Sequence, residues 1–252
     1  MQTSEYENIY KNEGHHFFYV GNHFVILNLV RRHAKDSTHN ILDAGCGTGL
    51  LAKKLQSFGK VTGVDISPEA IKYAKKRGVD ARLASIAKLP FKDHCFDLVV
   101  SIDVLYHQKV ENDKNALLEL RRVLKPGGVL ILKVPAYNWL RGSHDIVVHT
   151  KHRYTTGELK HLTTEVGLKI IKISYFASFL LPLAILKRLY ESILPIKNTE
   201  SDVRPIPPFL NSFAITLYKF ESFLLTFTNF PFGLSVFVVL QNTQKRKTTS
   251  AL

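Results

Sequence analysis

Residues 41–49 read Ile41-Leu42-Asp43-Ala44-Gly45-Cys46-Gly47-Thr48-Gly49, a short apolar run that ends in a glycine-rich turn. Apolar residues follow at helical spacing over 50–55, so the stretch predicts a strand, a loop and a helix. Glycines at every second position let the backbone approach a ligand closely. We therefore expect a ligand site at this loop.

The glycine spacing alone leaves the ligand type open. Counted from Gly45, the dinucleotide pattern Gly-x-Gly-x-x-Gly fails because Leu50 stands at the third glycine position. Counted from Gly47, Ala52 satisfies the looser form of that pattern. The Gly-Lys-Ser/Thr ending of a P-loop is missing. Asp65 ends the next predicted strand, where a carboxylate can bind both ribose hydroxyls; the alternative is a tight turn with a solvated aspartate.

Strands and helices alternate between residues 40 and 176. After the first strand, further strands are predicted over 61–65, 81–84, 96–101, 129–134 and 168–175. Ser67-Pro68 predicts a helix start, Lys125-Pro126-Gly127-Gly128 a helix stop after 112–124, and Thr155 to Glu158 a capping box. This alternation predicts an α/β fold with a mainly parallel sheet that is covered on both faces.

Composition indicates a globular protein with a basic surface. The chain has 252 residues, of which 45% are hydrophobic, and a formal net charge of +13. An acidic partner such as nucleic acid, anionic lipid or a phosphorylated substrate is therefore considered, although the charge is dispersed except at Lys245-Arg246-Lys247. Two cysteines, Cys46 and Cys95, lack the spacing of a disulfide framework or a zinc site, which fits a reducing cytoplasm.

Targeting and membrane-spanning segments are not expected. Residues 1–16 are polar and carry no apolar stretch of signal-peptide length. The apolar run 173–186 contains Ser174, Ser178 and Pro182 and falls short of the roughly 20 apolar residues that span a bilayer.

Four stretches, in order, resemble class I S-adenosylmethionine-dependent methyltransferases, and are similar to the ubiquinone/menaquinone-type small-molecule group. They are residues 41–49, Val64-Asp65-Ile66-Ser67, Leu89-Pro90-Phe91 with Phe96-Asp97-Leu98-Val99, and the segment 121–128 that ends in Lys125-Pro126-Gly127-Gly128. The resemblance implies a Rossmann-like doubly wound sheet of seven strands with an antiparallel last strand. It also selects S-adenosyl-L-methionine as the cofactor.

The resemblance implies roles for the first loop. Gly45, Gly47 and Gly49 would wrap the methionine part of the cofactor, and Cys46 belongs to the same contact surface. Asp43 would orient the loop or bind the cofactor's amino group.

The remaining cofactor contacts follow from the later stretches. Asp65 would hold the ribose, with Ile66 beside it. Ser85, followed by Ile86, stands where many relatives carry an acidic residue that contacts adenine; a hydroxyl can also bond there, more weakly than a carboxylate. Asp103 is also assigned to the cofactor site.

Catalytic and acceptor residues are expected near the end of the fourth strand, at the sheet edge where ligands bind in open α/β folds. Methyl transfer mainly requires alignment in a dry pocket, with a general base only if the acceptor is protonated. Asp103 and His107 are the acid-base candidates, the alternative for His107 being a helix-start or packing residue. The resemblance implies that Tyr19, Arg153 and Tyr154 contact the acceptor, and Tyr106 is predicted to do so from its place after the fourth strand; for Arg153 and Tyr154 the alternative is a salt-bridged helix start.

Metal and nucleic-acid sites are not expected. His144, His149, His152 and His161 lack a matching carboxylate or cysteine cluster. Ser101-Ile102-Asp103-Val104 lacks the Asn/Asp-Pro-Pro-Tyr signature of base-amine methylases, and neither cysteine follows a proline as in cytosine C5 enzymes. An RNA ribose or ring-nitrogen methylase stays open, although no RNA-binding appendage is recognisable.

The last third departs from the family pattern. Ten of the 16 Phe lie after residue 175. Two amphipathic helices are predicted, one over 180–194 and one in which apolar residues recur at three- and four-residue steps, at Phe209, Phe213, Leu217, Phe220 and Leu224. Pro205, Pro207 and Pro208 separate them. The helices are expected to pack on the sheet or on a second subunit as a homodimer; a lid over a hydrophobic acceptor and docking to a membrane surface are the alternatives.

These observations predict one methyltransferase domain. Its parts are an N-terminal helical cap (1–39), a cofactor-binding core (40–176), a helical insertion (177–233), the last strand (234–241) and a basic tail (242–252). It would methylate an O or N atom of a small, hydrophobic, quinone-like or glycan-linked acceptor. The rivals are an RNA methyltransferase, a non-catalytic cofactor-binding module and a membrane-docked interaction protein.

Overall fold

The computed structural model describes residues 3–34, 39–193 and 206–244. Its strands are β1 His39–Ala44, β2 Gly59–Asp65, β3 Asp80–Leu83, β4 Phe96–Ile102, β5 Leu124–Pro135, β6 Leu168–Phe176 and β7 Ser235–Asn242. Its helices are α1 Thr3–Asn12, α2 Phe17–His33, α3 Leu50–Leu55, α4 Pro68–Lys76, α5 Asp113–Val123, α6 Ser143–Val147, α7 Thr156–Glu165, α8 Leu181–Ile193 and α9 Pro208–Leu224. The cluster Lys245-Arg246-Lys247 and Pro205 lie outside the described residues.

The strands form one sheet in the order β3-β2-β1-β4-β5-β7-β6. β1 to β5 pair in parallel, and β7 runs antiparallel to both β5 and β6. The predicted Rossmann-like seven-stranded sheet with an antiparallel last strand is confirmed. Strand order reverses between β1 and β4, which is the switch point where open α/β sheets bind ligands.

Apolar side chains cover both faces of the sheet. Alternate residues of one strand enter different clusters, as Ile41 and Leu42 of β1 do. One cluster joins the sheet to α5 and α7, and the other joins it to α2, α3, α4 and α9. Burial on both faces explains why the central strands are nearly continuous apolar runs.

Local signals placed most helix ends correctly. The capping box of α7 is present, because Glu158 N donates to Thr155 Oγ1 at 3.2 Å and Thr155 N donates to Glu158 Oε2 at 2.6 Å. Ser67 occupies the N-cap of α4, and Pro68 is the first residue of the helix. The Ser67 side chain makes no capping hydrogen bond. β5 begins five residues before the predicted start of 129, because Leu124 already pairs with Phe96 across a register shift.

The insertion packs on the N-terminal cap as well as on the sheet. Phe17 N donates to Asn211 Oδ1 at 2.8 Å, so α9 supplies a hydrogen bond at the start of α2. Tyr218 of α9 lies against Gly21 so closely that a Cβ there would overlap its ring. Close packing on α2 and against Phe176 therefore fixes α9. Among the described helices, none combines the length and the apolar character that a bilayer crossing requires.

Candidate functional site

The glycine loop joins β1 to α3 in a backbone conformation that favours glycine. The φ angles of Gly45, Gly47 and Gly49 are +95°, +52° and +89°. A Cβ on Gly45 would overlap Val104, and one on Gly49 would meet the backbone of Ala74 at 2.8 Å. A Cβ on Gly47 would meet no heavy atom within 4 Å. Packing thus explains two of the glycines, while the third borders open space where a ligand fits.

Asp65 connects the end of β2 to this loop. Its Oδ2 accepts a hydrogen bond from Gly47 N at 3.0 Å, and its Oδ1 accepts one from Ser67 N at 2.9 Å. Burial raises the pKa of the carboxyl, and these backbone donors oppose that rise. Each carboxylate oxygen can accept more than one hydrogen bond, so the predicted ribose contact fits this arrangement.

Asp43 lies beneath the loop with one oxygen unpaired. The residue is 1% exposed, and no group in the described residues donates to its Oδ2. Burial, followed by the charges of Asp65 and Glu13, raises its pKa to about 7. A buried acceptor without a partner is costly, and a cationic donor would remove that cost. The residue therefore fits the amino group of the predicted cofactor.

We expect Asp43→Asn to stabilise the cofactor-free protein, and more so as the pH rises. A raised carboxyl pKa gives stability that is complete at low pH and is lost as the pH climbs from about 4 towards about 7. The neutral amide of the variant escapes that loss. Urea unfolding of both proteins should show that the variant's advantage grows by roughly 2 to 3 kcal/mol between pH about 5 and about 8. An advantage that is equal at both pH values would show that Asp43 ionises without penalty.

Arg77 connects the end of α1 to the glycine loop through hydrogen bonds. Its Nη2 donates to Glu13 Oε1 at 2.7 Å and to Tyr10 O at 3.0 Å, and its Nε donates to Thr48 O at 3.1 Å. The buried Glu13 also accepts a hydrogen bond from the Thr48 hydroxyl. Sequence reasoning missed Arg77 and Glu13, since no local motif connects residues so far apart. Together they hold the N-terminal cap beside the loop.

An ion pair joins β5 to the residue that follows β4. Lys133 Nζ lies 2.5 Å from Asp103 Oδ2 and 5.1 Å from the centre of the Phe18 ring. Lys133 is buried in β5, while Asp103 follows β4 with a φ of +56°. Sequence reasoning missed Lys133, although a single lysine inside the apolar run 129–134 was a usable signal. The pair fixes the direction of the Asp103 carboxylate.

Tyr19 and Tyr106 lie within the electrostatic reach of this pair. Burial raises the pKa of both phenols, and the charge of Asp103 adds to the rise in each. Three of the predicted site residues, Asp103, Tyr19 and Tyr106, therefore share one electrostatic environment, and the ring centres of Tyr19 and Phe18 lie 5.2 Å apart. Both phenols stay protonated at neutral pH and can act as hydrogen-bond donors.

His107 has other neighbours. Its Nδ1 accepts a hydrogen bond from Lys109 N at 3.1 Å, and its ring centre lies 5.9 Å from that of His149. Burial lowers its pKa to about 4, with further lowering by nearby cations. These contacts support the packing alternative, and the acid-base role stays a prediction.

Arg153 and Tyr154 are engaged within the protein. Arg153 forms a two-pronged ion pair with Asp145, with Nε–Oδ1 and Nη2–Oδ2 distances of 2.8 and 3.0 Å. Tyr154 is 1% exposed, and its hydroxyl donates to Asp113 Oδ2 at 2.8 Å. Both side chains support the structural alternative of a salt-bridged helix start rather than contact with an acceptor.

The predicted adenine side is only partly open. Ser85 Oγ accepts a hydrogen bond from Ala87 N at 3.2 Å, and Ile86 belongs to the core. Cys46 is also buried, whereas Ile66, next to Asp65, is 43% exposed and can contact a flat ring. The cofactor roles of these residues stay predictions. Among the described residues, no three His, Cys, Asp or Glu side chains gather as metal ligands would.

Comparison with known proteins identifies the central part of the chain. Residues 42–132 match the family model described as a methyltransferase domain. A tRNA (carboxymethyluridine(34)-5-O)-methyltransferase of Arabidopsis thaliana is 36% identical over 129 residues, which cover 50% of this chain and 30% of that protein. A sterol 24-C-methyltransferase of Gibberella zeae is 33% identical over 129 residues, covering 44% of this chain and 32% of that one. The match thus spans about a third of these two relatives.

A solved structure resembles almost the whole chain. It is the S-adenosylmethionine-dependent methyltransferase, possibly a histamine N-methyltransferase, of Thermotoga maritima, with 19% identity and a TM-score of 0.60. The likeness covers 95% of each chain. At this identity it establishes the fold.

Proposed function

We propose that this chain, in which residues 42–132 are a methyltransferase domain of the class I S-adenosylmethionine-dependent type, transfers a methyl group to an O or N atom of a small hydrophobic acceptor. The observation that carries the proposal is the link between Asp65 and the loop, through the hydrogen bond that Asp65 accepts from Gly47 N. The unpaired Oδ2 of Asp43 supports it from a second direction.

The cofactor, when bound, supplies a methyl group that is already activated on a sulfonium centre. The chain's own residues then have to bind, orient and exclude water. Gly45 to Gly49 would lie along the methionine part, Asp43 would accept from the amino group and Asp65 from the ribose. Arg77 and Glu13 hold the N-terminal cap beside the loop.

The acceptor would be held by Tyr19, Tyr106 and Phe18. Tyr19 and Tyr106 would provide protonated hydroxyls and Phe18 an apolar face, while the Lys133–Asp103 pair would supply charged groups near Phe18. Because the cofactor is activated, orientation by these groups is the main requirement, and a deprotonated phenol is not needed.

The insertion favours a hydrophobic acceptor. α8 exposes Leu183, Leu186 and Leu189, and α9 exposes Phe209 and Phe213. Monomeric soluble proteins seldom expose so many large apolar side chains without a binding role. A quinone-like or lipid-linked acceptor, delivered at this surface, suits the pattern better than a polar metabolite.

An RNA acceptor is the second candidate, since several relatives are named as tRNA methyltransferases. The apolar side chains exposed on α8 and α9 argue against it. A protein surface that binds nucleic acid presents cations to the phosphates, and leucine and phenylalanine side chains cannot do this.

A labelling experiment separates these candidates. The protein is incubated with cell extract and S-adenosylmethionine labelled in its methyl group, and the extract is divided into lipid, RNA and soluble fractions. We expect label in the lipid fraction, none with Asp65→Ala, and undiminished label with Asp80→Ala, which removes an exposed carboxylate from β3. Label in RNA alone would overturn the choice of acceptor, and cofactor binding without label in any fraction would indicate a binding module.

A further inference from the structure

A groove of about 390 Å³ lies between α2, β6 and α9. β6 is an edge strand, and β4, β5 and β7 separate it from β1 in the sheet. None of the residues assigned to the cofactor or to the acceptor lines this groove. A ligand in this groove would therefore lie apart from the proposed methyl-transfer site.

Two cations and a histidine line the groove. Arg32 and His33 come from the last turn of α2, and Lys172 comes from β6. A helix C-terminus favours a cation such as Arg32, whereas burial and the charges of Lys172 and Arg32 lower the pKa of His33. No carboxylate lines the groove among the residues that the structure describes. The groove therefore carries positive charge without a neutralising anion of its own.

Hydrogen bonds hold the cations Lys172 and Arg32 at the rim. Lys172 Nζ donates to Asn229 Oδ1 at 2.7 Å and to Thr228 O at 3.2 Å, and Arg32 Nη1 donates to Thr226 O at 3.3 Å. An ammonium has three donors and a guanidinium five, so both side chains keep donors for a ligand. The pKa of Lys172 is lowered by burial first and by Arg32 second, as expected for cations that share a site.

Most of the remaining wall is aliphatic, and its polar residues are Asn28, Ser222, Thr226 and Asn229. Val25, Leu29 and Leu225 belong to the core and form part of its wall. Phe223 and Phe227 adjoin the lining residues Ser222 and Thr226 in the sequence; they are 58% and 74% exposed, with ring centres 5.3 Å apart. The groove thus combines a cationic rim with a largely aliphatic wall.

We propose that this groove binds the phosphate group and adjoining acyl carbons of an anionic membrane phospholipid. The cationic rim matches the phosphate, and the aliphatic wall matches the chain. Free phosphate would bind only the cationic rim and leave the aliphatic wall without a partner. RNA would leave the same wall without a partner. Because the groove is separate from the cofactor site, the proposal does not depend on methyl transfer.

Vesicle co-sedimentation tests the proposal with the full chain. The probes are vesicles of phosphatidylcholine alone and of equal parts phosphatidylcholine and phosphatidylglycerol. We expect binding to the second kind, weakened more than roughly tenfold in the double variant Arg32→Gln/Lys172→Gln. The matched control Lys60→Gln/Lys75→Gln removes the same charge from exposed positions of β2 and α4 and should change binding by less than about twofold.

A second variant tests the apolar part without disturbing the core. Phe227→Ser alters an exposed ring and should weaken binding to the mixed vesicles several-fold while leaving the unfolding temperature unchanged. Equal weakening in both charge doubles would overturn the proposal, since it would reduce the effect to net charge. The proposal would also be overturned if inorganic phosphate competed with the vesicles as strongly as dihexanoyl-phosphatidylglycerol does. RNA binding that is lost in Arg32→Gln/Lys172→Gln and kept in Lys60→Gln/Lys75→Gln would overturn it as well. Unchanged S-adenosylmethionine affinity in the groove double shows that its fold is intact.

Discussion

Replacing Asp65 with alanine is expected to weaken S-adenosylmethionine binding about a hundredfold or more. The variant removes a carboxylate that would accept hydrogen bonds from the ribose, each contributing roughly 1.5 to 3 kcal/mol as a charged hydrogen bond. It also removes the acceptor of Gly47 N and so loosens the loop. Both effects act on cofactor binding, which isothermal titration calorimetry measures directly.

Two controls separate the ribose contact from general damage. Asp65→Asn keeps the size of the side chain and one carbonyl acceptor, and should bind at an affinity between those of the wild type and Asp65→Ala. Asp80→Ala removes an exposed carboxylate from the neighbouring strand β3 and should bind as the wild type does. An unchanged affinity in Asp65→Ala would contradict the ribose assignment.

Replacing Gly47 with valine is expected to abolish binding while the protein still folds. A Cβ at this position meets no protein atom within 4 Å, so the side chain would occupy the space beside the loop that the cofactor needs. The φ of +52° adds strain of about 1 to 2 kcal/mol for a residue with a side chain. Calorimetry should detect no binding, and thermal unfolding should show only a modest loss of stability.

Gly127 offers a matched control for the strain. Its φ is +79°, and a Cβ there also meets nothing within 4 Å, but it lies in β5 at the turn that follows α5. Gly127→Val should therefore lose comparable stability and keep its affinity for the cofactor. Equal loss of binding in both variants would mean that backbone strain, and not the cofactor's space, causes the effect at Gly47.

Local sequence signals predicted the architecture and the conformation-specific glycines of the first loop. A strand that ends in glycines, a carboxylate at the next strand end and the box from Thr155 to Glu158 act over a few residues, so their pattern is visible in the sequence. The helical insertion was also predictable, because its apolar residues recur at helical spacing. Its packing on α2 was not, since it depends on distant residues such as Gly21 and Tyr218.

The polar contacts around the site were less predictable. Arg77 meets Glu13 across 64 sequence positions, and Lys133 meets Asp103 across 30. Such pairs depend on how strands and helices stack, and no spacing rule reports them. Tyr154 illustrates the reverse problem, because the family resemblance suggested an acceptor contact, whereas the structure buries the side chain in the core and its hydroxyl donates to Asp113.

Calorimetric titration of S-adenosylmethionine into the wild-type protein tests most directly whether the loop, Asp43 and Asp65 form its site. We predict binding of one cofactor per chain, tighter at pH about 8 than at pH about 6 because ionised Asp43 accepts the cationic amino group. S-adenosylhomocysteine should compete for the same site. A folded protein that takes up neither compound at either pH would contradict the assignment.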